Sequence, residues 1–191
     1  MTDGERWTRA VLADLRAARY TPRAWHAFLA ASFARARATA AGRRAERRQV
    51  AVLALAGAAA WGATAATGHL VLAAAGLAWW GLLVVMLDWH LGMLERPDGS
   101  RVPRLGAANV LAALRAGSVP LLPALDRTGL AAALVALGIT DIVDGPLARR
   151  RGEVTRLGAW LDGTADTLVM GVAGVSAAAL GALPAGVAAA V

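Results

Sequence analysis

The longest uninterrupted apolar run begins at Val50, ends at Leu87 and contains no Asp, Glu, Lys or Arg. A helix crossing bilayer hydrocarbon needs about 20 residues, so the run is long enough for two crossings. Thr67-Gly68-His69-Leu70 supplies a turn between them, which predicts spans at roughly 50–68 and 70–89. A polar loop, 95–104, comes next. A third apolar stretch runs from Leu105 to Leu125, interrupted by Arg115 and bent or ended by Pro120 and Pro123. Residues 126–129 read as a short turn. A fourth span starts near Leu130, a fifth runs from about Leu157 to Leu183, and residues 184–191 begin something like a sixth.

Residues 1–49 are patterned differently. Arginine and alanine dominate, with Trp7, Trp25, Phe28 and Phe33 interspersed and a break near Thr21-Pro22. This reads as one or two basic amphipathic helices lying on the anionic inner leaflet; a mobile basic tail is the plainer alternative. No apolar core follows directly on the first charged residues, which argues against a cleaved signal peptide. The expected fold class is therefore an all-α integral membrane protein, with about five to six transmembrane helices and an N-terminal amphipathic arm. Its parts are the arm (1–49), a transmembrane hairpin (50–95) and a helical core (105–191).

Composition strengthens this picture. Apolar residues make up 58% of the chain, where soluble domains sit nearer half. There is no cysteine, which excludes disulfides and thiolate metal sites. The net charge of +7 suits either nucleic acid or an anionic membrane surface, and the arginine positions decide between them. Arg43, Arg44, Arg47 and Arg48 precede the first span. Arg96, Arg101 and Arg104 fall between the second and third, and Arg149, Arg150, Arg151 and Arg156 between the fourth and fifth. The other two turns carry only His69 and the pair Asp126/Arg127. All three basic clusters thus fall on one side, and basic loops favour the cytoplasm. Topology accounts for the charge, no nucleic-acid motif appears, and no nucleic-acid partner is expected. Trp61, Trp79 and Trp80 read as packing residues, and Trp89 as a member of an interfacial belt. His26, His69 and His90 are too scattered to form a site, and Glu153 reads as a solvated turn residue.

The chemistry is concentrated between Asp141 and Asp166. Asp141 and Asp144 are three residues apart, and Asp162 and Asp166 four apart, so each pair shares a helix face. The two helices are consecutive, which predicts an antiparallel pair whose four carboxylates converge near the inner membrane surface. Four uncompensated charges there are very costly, so protons or cations must neutralise them. Oxygen donors without His or Cys suit Mg²⁺ or Mn²⁺ better than zinc. Two such ions bridged by carboxylates would hold a pyrophosphate. Arg149 offers a fork for phosphate oxygens, and Gly145, Ala148 and Gly158 leave room beside the backbone. Pro146 frees the carbonyl of Ile142. Salt bridging to arginine alone is the plainer reading. Intramembrane acids, however, are functional candidates by default.

The pattern Asp144-Gly145-x2-Ala148-Arg149, eight residues, Gly158-x3-Asp162-x3-Asp166, with Asp141 three places upstream, resembles the signature of the CDP-alcohol phosphatidyltransferase family at all eight fixed positions. Asn109–Arg115 resembles the first core helix of that family more loosely. The resemblance implies a membrane enzyme that transfers a phosphatidyl or similar substituted phosphate from a CDP-linked lipid donor, such as CDP-diacylglycerol, to an alcohol acceptor, releasing CMP. It implies Asp141, Asp144 and Asp162 as metal ligands, with Asp166 a further ligand and the general base. It places Gly145, Ala148, Arg149 and Gly158 against the cytidine diphosphate. It also implies a six-helix core, of which three helices and the start of a fourth follow Leu105, so the expected chain is a shortened member. A homodimer is a possible assembly. A prenyltransferase would also use aspartate pairs and Mg²⁺, but the spacing between the pairs argues against it. An inactive relative or a membrane scaffold that keeps the metal and CDP site is the alternative function.

Overall fold

The computed structural model describes residues 2–182. Seven α-helices and two short 3₁₀ turns account for most of them, with no strand among the described residues. The sixth apolar segment and the end of the fifth lie outside the described residues.

The arm is two helices, α1 (Asp3–Ala17) and α2 (Pro22–Ala41). Thr2 and Glu5 form a reciprocal capping box at the start of α1. Thr21 caps α2 and Pro22 occupies its first turn, where a missing N–H costs nothing. The break therefore falls where Thr21-Pro22 placed it.

The hairpin is α3 (Arg44–Ala66) and α4 (Leu70–Trp89), turned at Gly68, whose φ of 90° favours glycine. Helix α3 starts before the apolar run, so Arg44, Glu46, Arg47 and Arg48 form its first turns. Two tryptophans lock the hairpin. Trp80 lies on Gly57 of α3 and Trp61 on Gly76 of α4; a Cβ on either glycine would stand 2.1 and 2.2 Å from the facing indole. Small residues let helix backbones approach without a water-driven force between them. Trp80 also presses on Gly117, where a Cβ would come within 2.6 Å, and Trp79 Nε1 donates to the Ala116 carbonyl at 2.9 Å. The packing role expected of these tryptophans thus extends to fastening the hairpin onto the core.

The core begins with α5 (Ala107–Gly117), followed by a 3₁₀ turn over Val119–Ala124 that contains Pro120 and Pro123. The third apolar stretch is thus broken at Ser118, as its prolines predicted. Helix α6 (Arg127–Arg151) is capped by Asp126, so it begins slightly before Leu130. Gly152 ends it in the left-handed region (φ 62°), and Thr155 caps α7 (Arg156–Ala179). Among the described residues, four segments are long and apolar enough to cross a membrane: Arg44–Ala66, Leu70–Trp89, Ala107–Ala124 and Arg127–Arg151. Helix α7 has 24 residues but is not among them, since Asp162 and Asp166 lower its hydropathy.

The three basic segments meet at one end of the bundle. Arg101 donates to the buried Glu46 at 3.0 Å, Arg96 to the Gly152 carbonyl at 3.2 Å, and Arg104 pairs with Glu153 at 2.7 Å. At the other end, Arg127 donates to the Leu180 carbonyl at 2.8 Å. Glu153 is not the solvated turn residue expected: it is 6% exposed and paired with Arg104. The arm also touches this end, through an ion pair between Glu5 of α1 and Arg156 at the start of α7.

Candidate active site

Helical spacing puts Asp141 and Asp144 on one face of α6, and Asp162 and Asp166 on one face of α7. The two helices do not pair directly as expected. Each packs mainly on α5, and they touch one another little. Helix α5 fits between them because its buried positions are small: Ala112, Ala113 and Ala116 are nearly inaccessible.

One side chain of α5 then fills the space between the acids. The Arg115 guanidinium is 2% exposed and bridges all four carboxylates. Its Nη1 lies 2.7 Å from Asp141 Oδ1 and 3.1 Å from Asp144 Oδ2. Its Nη2 reaches Asp166 Oδ1 at 3.1 Å and also donates to Asp162. Asp144 is buried, whereas the side chains of Asp141, Asp162 and Asp166 remain 44–48% exposed. The site therefore has a sealed side at Arg115 and Asp144 and an open side at the other three acids.

One guanidinium against four carboxylates leaves a formal surplus of negative charge. Beside apolar surroundings a surplus of this kind calls for further cations. Asp141, Asp144 and Asp162 each offer an oxygen, and these oxygens lie within 4.8 Å of one another. Such a triplet of hard donors fits a divalent ion. Asp166 joins the group through Arg115 rather than through this triplet.

The glycines of the motif have separate local reasons. Arg149 rests over Gly145, its Nη1 3.3 Å from where a Cβ would stand. A larger residue at 145 would push that guanidinium away from the acids' end of α6. Gly158 faces the side chain of Asn109: a Cβ there would meet Asn109 Oδ1 at 2.9 Å and Thr155 Oγ1 at 3.3 Å. Asn109 is itself buried and donates to the Leu105 carbonyl at 2.5 Å. Gly158 thus lets α7 close onto α5, and the space above it is filled by protein. Ala148 is half-buried on α6, and its carbonyl accepts the Glu153 N–H at 2.9 Å, shaping the turn into α7.

The four acids stand out in the sequence, whereas Arg115 reads there as an interruption of the third apolar stretch and the end of a segment loosely resembling the family's first core helix, not as the acids' partner. The signal was present, because a cation inside an apolar segment of a chain with intramembrane acids points to pairing. Asn109 begins the same loosely matching segment, but its place over Gly158 depends on α7 lying against α5.

No curated protein and no solved structure matches the chain. Members of the CDP-alcohol phosphatidyltransferase family generally use a divalent metal, which agrees with the donor set found here. Residues 105–191 match the sequence model of that family, and Arg115 and the four aspartates all lie within the matched segment.

Proposed function

We propose that this protein transfers a phosphatidyl group, or a similar substituted phosphate, from a CDP-linked lipid such as CDP-diacylglycerol to an alcohol. The reading has the acceptor oxygen attack the phosphorus attached to the lipid. The bond from that phosphorus to the bridging oxygen breaks, and CMP leaves with the oxygen. The single observation that carries the proposal is the convergence of four acids, with surplus negative charge, within the family-matched segment.

Asp141, Asp144 and Asp162 are the proposed holders of Mg²⁺ or Mn²⁺, with two ions and Asp166 as a further ligand. When bound, such ions supply charge to hold the pyrophosphate and stabilise the departing CMP. Asp166 is open to solvent on one side and is the proposed base that takes the acceptor's proton. Arg149, exposed beside Gly145, is the proposed partner of phosphate oxygens. Arg115 keeps the acids together from the sealed side. The basic end is the proposed cytoplasmic end, which sets the site at the inner face of the cell membrane.

The experiment is a CMP-release assay on the detergent-solubilised full chain with CDP-diacylglycerol, divalent metal and a panel of alcohols. Acceptor-dependent release supports the reading. Metal-dependent CDP binding with no release under any acceptor would point to an inactive relative, and no CDP binding to a scaffold. Orientation is checked by Arg151→Cys, which should react with an impermeant thiol reagent only once the inner face of the membrane is opened.

A further inference from the structure

A groove of about 1140 Å³ lies between α2, the start of α3 and the end of α4. It shares no lining residue with the aspartate site. Its upper wall carries Arg37, Arg44, Arg47 and Arg48, and its floor is Ala51, Ala54, Val84 and Val85. Arg47 is paired with Asp88 at 2.9 Å. Among the described residues, no carboxylate lies within ion-pair distance of Arg37, Arg44 or Arg48. The arm closes the groove from above: Trp89 Nε1 donates to the Ser32 carbonyl at 2.9 Å, and the Phe33 ring meets Trp89 edge-on at 6.1 Å.

The change from arginine wall to apolar floor falls where the charge-free run begins, at Val50. The groove thus crosses from the polar interface into the hydrocarbon layer. Free phosphate would use the wall and leave the floor empty, and a neutral lipid would leave Arg37, Arg44 and Arg48 without an anionic partner. The geometry points to one anionic diacylphospholipid as the occupant, its headgroup phosphate among Arg37, Arg44 and Arg48 and its acyl chains along α3 and α4. The arm would then be held on the hairpin partly by this lipid.

The proposal is tested by native mass spectrometry of the full chain in detergent, titrated with phosphatidylglycerol or phosphatidylcholine. The wild type should retain phosphatidylglycerol in preference. An arginine near anionic lipid contributes roughly fivefold in affinity, so Arg44→Gln with Arg48→Gln should lower retention about thirtyfold. Arg9→Gln with Arg16→Gln removes the same charge from α1 and should change it little. Ala51→Trp fills the floor and should expel the lipid with every arginine intact, which keeps the proposal testable if the double arginine variant does not fold. Equal losses from the two double variants would reduce the effect to general attraction and overturn the site. Displacement by inorganic phosphate at equal concentration would overturn the lipid as its ligand.

Discussion

The α3–α4 hairpin and the α6–α7 pair are each two long helices joined by a short turn, yet they close in opposite ways. In the hairpin, indole meets glycine twice, and the helices pack directly. In the second pair the facing positions are acids, and α5 stands between the helices with Arg115 as their common partner. Neighbours in sequence usually pack together, but only when their facing surfaces attract. Shape complementarity makes the hairpin a self-sufficient unit. The acid-bearing pair depends on a cation, Arg115, and its three half-exposed acids leave one side open for the proposed metal and substrate. The two regions are also joined, because Trp79 and Trp80 fasten the hairpin to α5 close to Arg115.

The largest expected effect comes from the four acids. Asp166→Asn removes the proposed base and should lower CMP release by about 10²–10⁴-fold while sparing most CDP affinity. Asp144→Asn or Asp162→Asn, which remove members of the oxygen triplet, should weaken metal-dependent CDP binding as well as turnover. Parallel binding and release measurements separate the two patterns. Near-wild-type turnover of Asp166→Asn would remove the base assignment. Undiminished CDP binding in every variant would remove the metal site.

Trp80→Ala attacks the other half of the comparison. It empties the contact with Gly57 and Gly117 and should cost about 3–5 kcal/mol of stability, as deletion of a large buried aromatic does. If the hairpin supports α5, thermal stability and CDP binding should fall together. A destabilised protein whose CDP affinity is unchanged would show that the hairpin and the site are independent.

Arg115→Gln sharpens the contrast between direct packing and packing through a cation. With metal chelated, the four acids lose their internal partner, and breaking buried pairs of this kind costs about 3 kcal/mol. Added Mg²⁺ should recover part of the loss, so the variant's melting temperature should depend on metal far more than the wild type's. Equal melting of variant and wild type in chelator would show that Arg115 does not hold the acids together.

The contrast also explains what could be read from the sequence. Approximate helix positions, the turn near Gly68, the interruption before Pro120 and the break near Thr21-Pro22 depend on near neighbours, and local pattern revealed them. The spacing of the four acids is likewise local and marked the site. Arg115 meeting all four acids, Asn109 filling the space over Gly158, and Glu153 buried against Arg104 depend on how α5 lies between α6 and α7. No spacing within one helix encodes that arrangement. The hairpin's fastening to α5 was hidden for the same reason: Trp79 and Trp80 are ordinary residues of an apolar helix until Ala116 and Gly117 are known to face them.

The smallest effect concerns the arm, which joins the basic end through Glu5 and Arg156. The Thr2 backbone N–H, and then the Arg156 guanidinium, hold the Glu5 carboxyl below its ordinary value of 4.5. A carboxylate with a lowered folded-state pKa contributes its full effect above the unfolded value and loses it as pH falls through the folded one. Docking of α1 should therefore be unchanged from pH 8 to about 5 and weaken only below about 4.5. Because Glu5 is at the surface, the change should be small and screened by salt. Hydrogen exchange over residues 3–17 provides the measurement, with Glu5→Gln as comparison. The variant should exchange faster than wild type at pH 7, and the two should converge at pH 3.5. Equal exchange at pH 7 would show that α1 is held by other contacts, and that the arm adds nothing to the basic end through this pair.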